Sequence, residues 1–85
     1  MKILIADDNA NDRLFLRMSL EQFGCEVIEA VDGLDALERA KNTMPDTIVS
    51  DALMPRLDGF HLLRALKSDA TLKDIPFIFY SATYT

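Results

Sequence analysis

Apolar residues of this chain fall into two kinds of segment: short continuous runs, and longer stretches in which they recur every three or four positions. The short runs have the length and β-branched content of strands buried on both faces of a parallel sheet. They predict four strands, at Lys2–Ala6, Val27–Ala30, Thr47–Asp51 and Pro76–Ala82. The second strand contains Glu29, which favours a position near an edge of the sheet.

The longer stretches predict three helices that alternate with the strands. Their expected limits are Asn9 or Asn11 to about Phe23, Gly33 to Pro45, and Gly59 to about Ser68. Asparagine is a good N-cap, glycine commonly follows a helix, and proline cannot continue one. In the first helix, Leu16, Leu20 and Phe23 form the expected inward stripe. In the second, Met44 is the last residue of the expected apolar face.

The resulting order βαβαβαβ predicts an α/β fold. Because crossovers between parallel strands are right-handed, the strands should form one parallel sheet with helices on both faces. A length of 85 residues indicates one domain. The net charge of −5 argues against nonspecific binding to nucleic acid or to an anionic membrane. No apolar stretch approaches the roughly 18 residues that span a bilayer, and no signal peptide is recognisable, so we expect a cytoplasmic protein.

Carboxylates follow two of the predicted strands. Asp7 and Asp8 end the first apolar run, and Asp51 ends the third. Open parallel sheets bind ligands at the carboxyl ends of their strands, and three carboxylates gathered there would repel one another without a cation or a proton. Taken alone, Asp7 and Asp8 are better explained by a favourable interaction with the N-terminal dipole of the first helix. With Asp51 at a matching strand end, a site for Mg²⁺ or Mn²⁺ becomes the better interpretation.

Further motifs follow these aspartates in a fixed order: Met54-Pro55, Asp58-Gly59 and Ser81-Ala82. Each motif is weak, but the ordered set is specific. It resembles, over the whole chain, the CheY-like receiver domain of two-component response regulators. The resemblance implies a flavodoxin-like fold whose strand order begins 2-1-3-4.

The resemblance also implies a role for each site residue. Asp51 would be the phosphoacceptor, which attacks a phosphoryl group carried by a phosphohistidine of a sensor histidine kinase or phosphotransfer protein. Asp8 would bind Mg²⁺ or Mn²⁺ directly and Asp7 mainly through water, and Asp51 and the Leu53 backbone carbonyl would complete the metal site. Ser81 would be the switch hydroxyl that reaches the phosphoryl oxygens.

In the same comparison, Met54, Pro55 and Gly59 would shape the loop after the third strand. A complete receiver continues through a fourth helix, a fifth strand and a fifth helix, so residues 1–85 are expected to be a receiver domain truncated after the fourth strand. The lysine that ends strand five in the family has no counterpart in this chain. Lys67 and Lys73 both precede the fourth strand and cannot take that role.

Two functions therefore remain open. The first is a phosphoacceptor signalling module, which is not a turnover enzyme. The second is a receiver-like interaction or oligomerisation module that is not phosphorylated, because the lysine is absent. A metal-dependent phosphohydrolase ranks lower, since that class places a second aspartate two residues after the nucleophile, where this chain has Leu53.

Two apolar surfaces predict self-association. The segment Pro76–Ala82 has no charged residue, and an uncharged edge strand can pair with another chain. The first helix carries Leu14 and Met18 away from its inward stripe, so its apolar surface is wider than one sheet requires. We expect oligomers in sedimentation experiments, and a compact, stable monomer at micromolar concentration would contradict this.

Overall fold

The computed structural model describes residues 1–80 and contains the predicted alternation of strands and helices. The elements are β1 (Lys2–Ala6), α1 (Ala10–Glu21), β2 (Glu26–Ala30), α2 (Gly33–Thr43), β3 (Thr47–Ser50), α3 (Gly59–Lys67) and β4 (Phe77–Phe79). The four strands form one sheet in the order β2-β1-β3-β4, and every pairing is parallel. The predicted α/β fold and the edge position of β2 are therefore confirmed.

The main core lies between the sheet and the pair of helices α2 and α3. Strand residues Leu4, Ala6 and Ile48 point to this side and pack against the helices. The alternate residues Ile3 and Ile5 are also buried, but on the opposite side, where α1 contacts β1 and β2. The helices thus cover both faces, as predicted. Within residues 1–80, no helix combines the length and the apolar character needed to cross a membrane.

The first helix differs from its prediction at the C-terminal end. Asn9 is the N-cap and its side chain accepts hydrogen bonds from the amides of Asn11 and Asp12. The helix ends at Glu21, and Phe23 is 84% exposed, so its predicted place in the inward stripe is wrong. The cause is a tighter last turn, in which the Phe23 amide donates to the Leu20 carbonyl and rotates Phe23 away from the helical stripe. No residue of α1 is fully buried.

A similar error concerns Met44 at the end of α2. Met44 is the C-cap and has a left-handed backbone with φ +48°, which turns its side chain away from the helix face. It is half exposed and does not belong to the core, whereas Ala36 and Ala40 of the same helix are buried. The predicted stop at Pro45 is otherwise close, because α2 ends at Thr43.

Strand β4 is shorter than predicted among the described residues. It covers Phe77–Phe79, and the carbonyl of Pro76 just before it accepts a hydrogen bond from Ile48 of β3. Pro76 has no amide hydrogen to donate, which suits a position before the strand rather than within it. The end of the predicted segment, residues 81 and 82, lies outside the described part of the chain.

Candidate metal centre

The ends of β1 and β3 bring the three predicted aspartates together. Ala6 and Ser50 are register partners, so Asp7 and Asp51 leave the sheet at the same level. The Asp51 amide donates to the Ala6 carbonyl over 2.8 Å, which fixes the two strand ends to each other. Asp7, Asp8 and Asp51 each offer a carboxylate oxygen, and these oxygens lie within 4.8 Å of one another. The predicted clustering of the acids is thereby confirmed.

Asp7 is the buried member of the cluster, with 1% of its surface exposed. Its Oδ1 accepts a hydrogen bond of 2.9 Å from the Asn9 amide, whereas its buried Oδ2 has no partner among the described residues. Burial raises the pKa of Asp7, the Asn9 hydrogen bond opposes this rise, and the negative charges of Asp51, Asp12 and Asp8 add to it. A buried carboxylate oxygen without a partner beside two further carboxylates fits a hard divalent cation.

The other two aspartates are open to solvent. Asp8 is exposed and Asp51 is half-buried. The Leu53 amide lies 3.5 Å from Asp51 Oδ1, which is at the limit of a hydrogen bond. The cluster therefore combines one buried carboxylate, that of Asp7, with two carboxylates, those of Asp8 and Asp51, that are accessible from solution.

The loop between β3 and α3 carries the remaining predicted residues of the site. The Met54 side chain is in the core, Pro55 is exposed, and the side chain of Leu53 is largely exposed beside Asp51. The Gly59 amide donates to the Ala52 carbonyl over 2.9 Å and closes the loop. A Cβ atom on Gly59 would overlap the backbone carbonyl of Asp51, so only glycine permits this approach.

Ser81, the predicted switch hydroxyl, lies outside the described residues, and its role stays a prediction.

Two arginine contacts around the site escape sequence reasoning. Arg13 donates from Nη1 to the backbone carbonyl of Asp7 over 2.7 Å and from Nε to Glu29 Oε1 over 3.2 Å. Arg56 forms an ion pair with Asp32, which is 24 residues away in sequence. The sequence signal for the Arg56–Asp32 pair is weak: an aspartate directly before Gly33 suits a helix N-cap, but nothing local pairs it with Arg56.

Comparison with known proteins decides the family. The family profile described as "Response regulator receiver domain" matches residues 3–85. The chain belongs to this family. The resemblance found in the sequence is thus confirmed, and the flavodoxin-like fold with it.

Curated relatives of this receiver domain are longer proteins. Protein PilG of Pseudomonas aeruginosa is 37% identical over 82 residues, which are 96% of this chain and 61% of PilG. Response regulator MprA of a Mycobacterium species is 42% identical over 82 residues, again 96% of this chain but 35% of MprA. The chain therefore spans between about a third and three-fifths of the curated relatives named here.

Solved receiver domains have the same architecture. The N-terminal domain of a response regulator receiver protein from Methanoculleus marisnigri superposes with a TM-score of 0.92 at 31% identity, over 99% of this chain and 68% of that one. The receiver domain of a sensor histidine kinase from Pseudomonas aeruginosa, solved with a magnesium ion coordinated in its active site cleft, gives a TM-score of 0.91 at 27% identity. That match covers 96% of this chain and 67% of the kinase domain.

Proposed function

We propose that this receiver domain accepts a phosphoryl group on Asp51 from a phosphohistidine of a sensor histidine kinase or a phosphotransfer protein. The observation that carries the proposal is the gathering of three carboxylate oxygens within 4.8 Å, together with a buried Oδ2 of Asp7 that has no partner among residues 1–80. A magnesium ion in the active site cleft of the solved kinase receiver supports Mg²⁺ as the cofactor, with Mn²⁺ as a substitute.

Asp7, Asp8 and Asp51, together with the Leu53 carbonyl, are the groups that would hold the cation. When bound, Mg²⁺ supplies neutralisation of the negative charge on the carboxylates and on the phosphoryl oxygens. Asp51 is the proposed nucleophile on the family pattern, and it is open enough to solvent for a donor to approach it in line. One of its carboxylate oxygens forms the new bond to phosphorus. The phosphorus–nitrogen bond of the donor breaks, and its electron pair returns to the imidazole.

Phosphorylation of Asp51 would then act as a signal. A phosphoryl group adds roughly −1.5 to −2 charge and strong acceptor oxygens, which a nearby hydroxyl can recruit. We assign that hydroxyl to Ser81 on the family pattern. In this proposal the domain is a phosphoacceptor and not a turnover enzyme, and its cytoplasmic location stays a prediction.

A second candidate function is a receiver-like interaction module that is not phosphorylated. The observation that favours it is the exposed apolar surface of α1, where Leu14, Phe15 and Met18 are each more than half exposed. Ile78 of β4, at the opposite edge of the described sheet from β2, is exposed to a similar degree. Such surfaces are typical of contacts with another protein or another copy.

Incubation with acetyl phosphate and Mg²⁺, followed by intact mass spectrometry, tests the first function. We expect one phosphoryl adduct on the wild-type chain and none on Asp51→Asn, because the nucleophile is removed. Asp74→Asn is the matched control, since Asp74 is an exposed aspartate in the segment between α3 and β4. It should be labelled like the wild type.

Each alternative result has a definite meaning. An adduct that persists in Asp51→Asn would place the phosphoryl group elsewhere. An unlabelled wild-type chain, under conditions that label a longer receiver domain, would favour the interaction module.

A further inference from the structure

The loop between β3 and α3 passes through a strained turn at Arg56. The Leu57 amide donates to the Pro55 carbonyl over 2.8 Å, and Arg56 between them has φ +67°. A hydrogen bond between residues two apart, around a central residue with positive φ, is a rare and strained turn for a residue with a side chain. Such a conformation persists only when surrounding contacts hold it.

A bidentate ion pair between Arg56 and Asp32 holds this turn. Arg56 Nε lies 2.6 Å from Asp32 Oδ2, and Arg56 Nη2 lies 3.0 Å from Asp32 Oδ1. The Asp32 side chain is 8% exposed, and its Oδ1 also accepts from the Asp35 amide as the N-cap of α2. Paired donors of a guanidinium match a carboxylate in direction as well as in charge, so the position of Arg56 is closely defined.

Two more anchors lie on either side of Arg56. The Met54 side chain is in the core, and the Leu57 carbonyl packs against Gly33 so closely that a Cβ there would overlap it. Leu53 thus lies between Asp51 and a segment in which Met54, Arg56 and Leu57 are each held by a contact with the rest of the fold. The Asp7 amide donates to the Ala30 carbonyl over 3.1 Å, so the end of β2, two residues before Asp32, is also tied to the acid cluster.

We propose that the Arg56–Asp32 pair is a positioning clamp for the metal centre. It ties the loop after β3 to the start of α2 and thereby holds Leu53 and Asp51 in the arrangement that a divalent cation requires. Arg56 touches neither the cation nor the phosphoryl donor in this proposal, and it acts through the loop. The inference rests on the proposed metal site.

Two measurements separate the positioning role of Arg56 from a general effect on the stability of the fold. Calorimetric titration gives the Mg²⁺ affinity, and the melting temperature without metal gives the stability. Arg56→Ala should weaken Mg²⁺ binding about tenfold, the usual size for loss of an outer contact that orients ligands. Arg56→Gly is the decisive variant, because glycine accepts φ +67° without strain but cannot form the ion pair. We expect it to lose Mg²⁺ affinity to the same extent, while its melting temperature falls less than that of Arg56→Ala because the strain at φ +67° is relieved.

Arg39→Ala is the matched control. Arg39 pairs with Asp35 on α2 over 3.2 Å, so this variant removes an ion pair from the same helix without touching the loop. It should bind Mg²⁺ like the wild type. Arg56→Lys should recover only part of the affinity, since an ammonium group cannot reproduce the paired contact.

The outcomes distinguish failure of the clamp from failure of the metal site. If Arg56→Gly binds Mg²⁺ like the wild type while Asp8→Asn loses binding, the metal site stands and the clamp is overturned. If the wild-type chain itself shows no Mg²⁺ binding, the metal site is wrong and the clamp is overturned with it. Weaker binding by both Arg56→Gly and Arg56→Ala, with Arg39→Ala unchanged, supports the clamp.

Discussion

Replacing Gly59 by alanine is expected to lower the free energy of unfolding by about 3 kcal/mol, which is the upper range for overpacking a tight site. The added Cβ would overlap the backbone carbonyl of Asp51 and would lie 3.0 Å from the Phe79 ring and 3.1 Å from the Ala52 Cα. The nearest neighbour is the backbone oxygen of Asp51, so the clash cannot be relieved by rotation of a side chain. Urea denaturation of Gly59→Ala and of the wild type measures the change. The comparison requires that the free energy of unfolding falls with urea concentration at the same slope in both chains.

Gly24→Ala is the control for this experiment. Gly24 has φ +82°, but its missing Cβ would have no atom within 4 Å. The substitution therefore meets only the backbone penalty for a left-handed residue, about 1 kcal/mol. Equal losses for Gly59→Ala and Gly24→Ala would show that α3 can move away from Asp51. The close approach of that helix to Asp51, the proposed phosphoacceptor, would then not be required for stability.

The sequence was sufficient for the position of the acid cluster because that position depends on regular structure. Parallel strands end together at one edge of a sheet, so an aspartate after β1 and another after β3 must be neighbours once the strand order is known. Asp7 and Asp51 could thus be placed together without any knowledge of side-chain conformation. The burial of Asp7 and its unpartnered Oδ2 needed the structure.

The errors lie where regular structure stops. Phe23 and Met44 continue the apolar spacing of α1 and α2, but both helices end before them. The spacing of apolar residues does not show at which residue a helix ends. The Arg56–Asp32 pair joins residues 24 apart through a turn with φ +67°. Nothing in the local sequence indicates a positive φ at an arginine, because that conformation is imposed by a distant contact.

The acid cluster should destabilise the chain in the absence of metal, and Asp7→Asn should relieve this. Because the pKa of Asp7 is raised in the folded chain, mainly by burial, the folded chain holds the proton more tightly than the unfolded chain. Folding is thus favoured as pH falls through the raised pKa towards the ordinary value of 3.8, and this gain is lost as pH rises. At neutral pH in EDTA, Asp7→Asn should be more stable than the wild type by about 1 kcal/mol.

Asp32 provides the contrast, because its pKa is shifted in the opposite direction. The hydrogen bonds from Arg56 lower the pKa of Asp32, so its contribution to stability is present above pH 3.8 and is lost as pH falls through the lowered value. Asp32→Asn should therefore reduce stability at neutral pH, by about 1 kcal/mol because the partner Arg56 is more than half exposed. At neutral pH without metal, asparagine is therefore expected to increase stability at Asp7 and to reduce it at Asp32, although both aspartates are buried.

Mg²⁺ should reverse the order of wild type and Asp7→Asn. A cation that binds only the folded chain stabilises the wild type by about 2.7 kcal/mol at a concentration about a hundredfold above its Kd. Asp7→Asn lacks one of the three carboxylates and should gain much less, so the wild type becomes the more stable chain. Thermal unfolding of both chains in EDTA and in Mg²⁺, at neutral pH and near pH 4, measures all four comparisons. An Asp7→Asn chain that is already less stable than the wild type in EDTA would mean that Asp7 stabilises the fold directly. In that case groups of the protein, and not a metal, would compensate the cost of burying the charge of Asp7.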